Sequence, residues 1–280
     1  MSEKTVFLHY TQAELDRNFD QRNWVSNALK LIALYPELSQ ATRARLRHET
    51  IAYGPSADET LDLFPADDPC GAVQIFVHGG AWKNFTKDDY SFPADAFVPA
   101  GVHTVVLSFA NLPAVRLPEM AEQVRRGIQW VFDHAPEFGA DRERIFLSAH
   151  SSGSHLAALA LQRDAYVRAA TLVSGPYYLE PVVLSARSSY VTLTPDEVVA
   201  LSPGLYAERM KCPVVIGYAE NDTDEFRRQS VAFADALRTA DRLQDVICFP
   251  GQNHFELMEK FGHAEHALVR TILNQMEIRR

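Results

Sequence analysis

Arg144-Ile145-Phe146-Leu147-Ser148-Ala149-His150-Ser151-Ser152-Gly153-Ser154-His155-Leu156-Ala157-Ala158-Leu159-Ala160 changes character twice along its length. Residues 145–147 are a short apolar run of the kind a buried parallel strand carries. Residues 156–160 are leucine and alanine, both good helix formers. Only small and polar residues lie between. Strand, tight turn and helix in that order are the setting of a nucleophile elbow, usually written Gly-x-Ser-x-Gly. The form here is Ala149-His150-Ser151-Ser152-Gly153. A turn that sharp tolerates only small side chains two positions either side of the serine. Ala149 is the next smallest choice after glycine. Ser151 is then the candidate nucleophile. The amide of Ser152 opens the helix and faces any charge that forms beside Ser151.

A second small-x-Ser-x-small run, Ala200-Leu201-Ser202-Pro203-Gly204, competes with it. There the residue after the serine is proline, which has no amide to donate. It also follows a helical stretch rather than an apolar strand, so Ser202 reads as the start of a turn.

Around the elbow the chain alternates. Thr11-Gln12-Ala13-Glu14 has capping-box spacing and predicts a helix start. Two more helices are predicted near 25–34 and 38–47. Segments 50–53 and 60–64 flank the turn-rich Gly54-Pro55-Ser56-Ala57-Asp58 and read as a hairpin. Apolar strands follow at 72–77, 102–108, 169–174, 214–218 and 245–249. Helices are predicted at 117–134, 225–239 and 255–276, with an irregular or helical excursion over 179–210. Alternation of this kind predicts an α/β fold: a mostly parallel central sheet with helices on both faces and an N-terminal helical segment. We expect residues 1–280 to form one domain. Residues 1–48 are too few for a core of their own, so they should pack on it as part of a cap. Right-handed crossovers place the strand C-termini on one edge, where functional loops gather.

Two further features fall at those ends. His78-Gly79-Gly80-Ala81-Trp82 follows the strand at 72–77. Adjacent glycines let backbone amides approach a substrate oxygen together. Gly80 and Ala81 are the expected oxyanion donors, with Ser152 as the third; each donor is worth roughly 3–4 kcal/mol in a transition state. His78 is expected to brace this loop rather than react. A nucleophilic serine also needs a base and an orienting carboxylate. His254, just past the last strand, fits the base, and Asp222, just past the preceding one, fits the acid. Glu220, Asp224 and Glu225 crowd the same loop as Asp222, and a solvated acidic loop is the plain alternative there. Trp82 and Tyr177 are the expected substrate-facing aromatics.

Composition narrows the function classes. Of 280 residues, 47% are hydrophobic, enough for a substantial core, and the net charge of −9 argues against a nucleic-acid or anionic-membrane partner. A small molecule is the expected partner, and a homodimer is compatible with the sequence. Three widely spaced cysteines suggest neither a disulfide framework nor a zinc site, and no metal or other cofactor is expected. His263 and His266, three apart near the C-terminus, lack a third ligand. The N-terminus has no signal-peptide layout and no apolar run is long enough to span a bilayer, so a cytoplasmic protein is expected.

These residues together resemble the α/β-hydrolase fold. Within it they are similar to the kynurenine formamidase (arylformamidase) group, close to the hormone-sensitive-lipase-like esterases. The matching pieces are His78-Gly79-Gly80-Ala81-Trp82, Lys87-Asp88-Asp89, Phe138-Gly139-Ala140-Asp141, the run 149–157, the run 222–230, and Asn253-His254-Phe255. The stretch from Leu15-Asp16 to Asp20-Gln21-Arg22 is similar too. Ala149, Ser152 and Ser154 stand where the pattern has glycine, alanine and glycine. The resemblance implies Ser151, Asp222 and His254 as a catalytic triad, and hydrolysis of an N-formyl aromatic amide such as N-formylkynurenine. A carboxylesterase for short acyl esters is the alternative on the same machinery. A non-catalytic ligand receptor of the same fold is the more distant one.

Overall fold

The computed structural model describes residues 4–278. Its centre is an eight-stranded sheet. In chain order the strands are β1 (Glu49–Ala52), β2 (Thr60–Phe64), β3 (Val73–Val77), β4 (His103–Leu107), β5 (Ile145–His150), β6 (Ala169–Val173), β7 (Val214–Ala219) and β8 (Leu243–Phe249). Across the sheet they run β8-β7-β6-β5-β3-β4-β2-β1. Every neighbouring pair from β8 to β4 is parallel; β4–β2 and β2–β1 are antiparallel. The hairpin and the mostly parallel sheet are as the sequence predicts.

The strands bury both faces. Ile75, Leu147, Leu172 and Ile216 belong to one apolar cluster. Phe76, Phe146 and Val173 belong to the other. Side chains of successive strand residues point to opposite faces, so continuous apolar runs feed two cores at once. The helices are α1 (Gln12–Asn18), α2 (Ala28–Arg45), α3 (Leu117–His134), α4 (Ser152–Leu161), α5 (Asp224–Thr239), α6 (His254–Glu259) and α7 (Ala267–Gln275), besides shorter turns. Helix α3 buries Leu117, Met120, Val124, Ile128 and Val131 along one stripe. Helix α1 starts at the expected capping box, Thr11 with Glu14.

Two helical expectations are corrected. The stretches near 25–34 and 38–47 form one helix, α2, which carries Pro36 inside it. Proline removes one amide and crowds the preceding turn. Burial of Tyr35, Ser39 and Thr42 on one face of α2 outweighs that local cost. The closing helix at 255–276 is instead two helices, α6 and α7. His263 and His266 lie in the break between them, and His266 caps α7 by accepting from the Leu268 amide at 3.2 Å. His263 bonds Glu259 at 2.7 Å.

Among the described residues no helix is long and apolar enough to cross a membrane. Among them, too, no group of three or more His, Cys, Asp or Glu side chains is placed to hold a metal ion.

Candidate active site

Strand register puts the three expected loops side by side. Val77 pairs with Ala149, so the loop after β3 lies beside the turn after β5. His150 pairs with Val173, which brings in the end of β6. The turn after β5 is sharp: Ser151 has φ 56° and ψ −128°, outside the usual regions for a non-glycine residue. Its amide bonds the Val173 carbonyl at 2.9 Å, and its carbonyl accepts from the Ser154 amide at 2.9 Å. Gly153 is required by close approach, since a Cβ there would sit 2.3 Å from the Val77 carbonyl oxygen and 2.4 Å from that of His78.

Ser151, His254 and Asp222 form one hydrogen-bonded chain. Ser151 Oγ lies 3.0 Å from His254 Nε2, and His254 Nδ1 lies 2.7 Å from Asp222 Oδ1. The pair of contacts fits the imidazole tautomer with Nδ1–H donating to Asp222, which leaves Nε2 to accept from the Ser151 hydroxyl. The second Asp222 oxygen accepts from the Ser174 hydroxyl at 2.5 Å and from the Ala219 amide at 2.9 Å. All three side chains of the chain are buried.

The competing acids have other partners. Asp224 is exposed and paired with Arg227 at 2.6 Å. Glu225 is buried against Arg228 and Gln229. Glu220 accepts from the Gly251 amide at 2.7 Å. Ser202 bonds the Val198 carbonyl and the Leu179 amide, inside the structure and away from this chain.

The loop after β3 holds three successive positive φ values: 117° at Gly80, 56° at Ala81 and 60° at Trp82. A Cβ at Gly80 would lie 2.1 Å from the Asn84 carbonyl oxygen. Ala81 and Trp82 have no such exemption, and left-handed backbone costs a non-glycine residue about 1–2 kcal/mol. The strain is held by anchors at both ends. The Trp82 amide donates to Ser152 Oγ at 3.1 Å, and the Asn84 amide bonds the Gly80 carbonyl at 3.0 Å. Gly80, Ala81, Ser151 and His254 all border one cavity of about 370 Å³.

The expected aromatic walls are corrected. The side chains of Trp82 and Tyr177 are fully buried, and neither borders that cavity. The Trp82 indole N–H donates to His155 Nδ1 at 3.2 Å, and His155 Nε2 bonds the Leu201 carbonyl at 2.8 Å. The Tyr177 ring packs on Phe233 at 4.3 Å. The cavity takes its aromatic lining from Phe19, Tyr35, Phe85, Tyr90, Tyr190 and Phe255. Two of these come from the N-terminal segment, and Asp16, Asp20 and Arg22 border the cavity with them.

That segment is tied to both loops that carry His254 and Asp222. Thr223 donates to the Asn18 carbonyl at 2.8 Å, and Asn18 Oδ1 accepts from the Glu225 amide at 2.9 Å. Asn27 bonds Glu256 at 2.7 Å and accepts from Asn253 at 3.0 Å, while the Tyr35 hydroxyl donates to the Phe255 carbonyl at 2.7 Å.

Burial tunes the histidines around the site. It pulls His78 and His155 down to about 4. His78 stacks on Phe109 at 4.4 Å and bonds the Gly79 carbonyl at 2.7 Å, which fits the expected bracing role. Burial, then the neighbouring His254, holds His150 well below the ordinary histidine value. Its ring lies 4.4 Å from that of His254, so a neutral His150 spares His254 a like charge at contact distance.

The expectations from sequence did not include Ser174, which bonds Asp222, Arg187, which borders the cavity, or the contribution of Phe19 and Tyr35 to its wall. Ser174 had a faint signal, a small polar residue ending a buried strand before glycine. Arg187 had none, being one arginine in an irregular excursion.

A serine at the sharp turn after β5, on a mostly parallel sheet, with a histidine and an aspartate on the loops after β8 and β7, defines an α/β-hydrolase. Residues 62–168 match the family model BD-FAE. Kynurenine formamidase of Salmo salar is 28% identical, across 94% of this chain and 96% of its own length. Esterase LipQ of Mycobacterium tuberculosis is 30% identical across 68% of this chain, but across only 52% of its own length. A solved structure of a proposed thioesterase from Silicibacter sp. matches with a TM-score of 0.81 at 23% identity, over 92% of this chain and 98% of that one. The chain has the α/β-hydrolase fold and is similar to kynurenine formamidases and to esterases.

Proposed function

We propose that the protein is a serine hydrolase that cleaves the formyl amide of an aromatic amine. Ser151 is the nucleophile, His254 the base and Asp222 the orienting acid. As Ser151 Oγ bonds to the carbonyl carbon, its proton passes to His254 Nε2. The oxyanion is held by the amides of Gly80, Ala81 and Ser152. His254 then gives the proton to the leaving nitrogen, the C–N bond breaks and the amine departs. Water, deprotonated by His254, releases formate and restores Ser151. The N-terminal segment through residue 48 acts as part of a cap over the cavity.

The observation that carries the hydrolytic part is the Ser151–His254–Asp222 chain at 3.0 and 2.7 Å. Choice of a formamide over an ester is supported by the relatives. The Salmo salar formamidase matches over nearly its whole length, whereas esterase LipQ matches over about half of its own. Short-acyl ester hydrolysis is the second reading, favoured by the esterases among the relatives and solved structures.

Steady-state rates on N-formylkynurenine beside p-nitrophenyl acetate separate the two. The formamide should give the higher kcat/KM, and preference for the acetate would move the protein to the esterases. Ser151→Ala should remain folded and lose activity on both substrates by several orders of magnitude, with at most a residue of oxyanion-hole catalysis. Near-normal rates in that variant would sink the mechanism.

A further inference from the structure

We infer that the cavity beside Ser151 selects substrates whose leaving half carries a carboxylate, drawn to the guanidinium of Arg187. The inference rests on the hydrolase reading above and adds the charge of the substrate to it. Arg187 borders the same cavity as Ser151 and His254 and is only 7% exposed. Its Nε and Nη2 donate to the Phe19 carbonyl at 3.1 and 2.8 Å, and Nη2 also reaches Gln21 Oε1 at 3.1 Å. Both acceptors are neutral. Nη1 is shut off from solvent and has no hydrogen-bond partner. The guanidinium otherwise meets aromatic faces, with Phe19, Trp82 and Phe226 at 5.4, 5.7 and 5.9 Å. No ion pair joins it to a carboxylate among the described residues.

A buried charge without a counter-ion is costly, and breaking such a pair elsewhere in proteins is strongly destabilising. A carboxylate entering the cavity would supply the missing counter-charge. The acids that border the cavity are already engaged. Asp16 accepts from the Ala186 amide at 2.6 Å and from Gln12 at 2.9 Å. Asp20 acts on Arg187 through space, but its oxygens are bonded to Arg22 at 3.2 Å and Asn23 at 2.7 Å. Lys83, also on the cavity, rests 5.0 Å over the Tyr190 ring. The walls thus present Arg22, Lys83 and Arg187 against Asp16 and Asp20, on a chain whose net charge is −9. A concave site of sign opposite to its surroundings concentrates anions.

The test compares N-formylkynurenine with its carboxamide, which keeps the formyl aryl amide and the ammonium group but loses the negative charge. The unmodified protein should prefer the acid by about 10- to 100-fold in kcat/KM, mostly through KM, the worth of one charge-assisted hydrogen bond. Arg187→Gln should bring that ratio near one whatever its absolute rates, and Arg187→Lys should restore part of it. A purely bracing Arg187 would lower both rates and leave the ratio unchanged, which overturns the inference. If the variants do not fold, the ratio in the unmodified protein decides, and a value near one overturns it. If neither formamide is cleaved while p-nitrophenyl acetate is, the formamidase reading fails. An aryl acetate bearing the same acid or carboxamide then gives the ratio that judges Arg187.

Discussion

Asp222 is the residue on which the site's geometry turns. Its carboxylate accepts from His254, Ser174 and Ala219, so both oxygens are fixed and the imidazole meets a carboxylate that does not rotate. Asp222→Asn should slow turnover by about 10³- to 10⁴-fold with the fold retained, because an amide cannot enforce the Nδ1–H tautomer. Asp224→Asn should change kcat/KM less than about threefold, since an exposed pair such as Asp224–Arg227 is worth little. Reversal of the two results would place the acid two residues away. Ser174→Ala removes one of the bonds that fix the aspartate and should lower kcat by about fivefold with little change in KM, as one hydrogen bond is worth roughly 1 kcal/mol. The place of the acid after β7 was legible from the order of the elements, and the resemblance pointed to Asp222 among the four acids there. Elimination of Glu220, Asp224 and Glu225 needed their partners, which sequence spacing does not reveal.

At the scale of elements, the elbow helix is seated by the absence of a side chain. Helix α4 leaves the turn so close to β3 that Gly153 abuts two carbonyls at the end of that strand, those of Val77 and His78. Gly153→Ala should destabilise by about 2–3 kcal/mol through overpacking against backbone, which a urea titration would read as a lower midpoint at unchanged slope. A midpoint within error of the parent would mean that α4 can shift without cost. The strand–turn–helix order was legible because apolar run, small residues and alanine-rich run each have one local reading. The loop after β3 was legible as a backbone feature from its glycines. The direction of Trp82 was not. Positive φ at Ala81 and Trp82 turns the indole inward onto His155, and adjacency in sequence carries no trace of that. Helix α2 was misread for a similar reason: Pro36 is a strong local signal, and tertiary burial overrode it.

The whole molecule stores several neutral histidines in its interior. His78, His150 and His155 are all depressed chiefly by burial, the first and last to about 4. The unfolded chain takes up their protons near the ordinary value of 6.5, whereas the folded chain does so only near 4 for His78 and His155. Between those limits the unfolded state binds more protons, so stability is full above about pH 6.5 and falls as pH drops. Each histidine steepens the fall by at most about 1.4 kcal/mol per pH unit. Urea midpoints at pH 7, 6 and 5 should decline, and His155→Gln should flatten the decline; an equal slope in the variant would remove His155 from the account. The sheet and its covering helices were readable from periodicity. The cavity wall was not, because it is made from residues far apart in the chain. The bonds between the N-terminal segment and the loops after β7 and β8 have a consequence for how the enzyme is made. Asn27 meets Asn253 across a separation of 226 positions, and Asn18 meets Glu225 across 207. A ribosome delivers Asn18 and Asn27 early and their partners late. The first wall of the cavity to be translated is therefore among the last to be seated. A nascent chain interrupted before residue 253 already carries Ser151, yet lacks His254 and one of the two places where its own beginning docks. On the proposed mechanism such a fragment is hydrolytically silent until synthesis has passed that point.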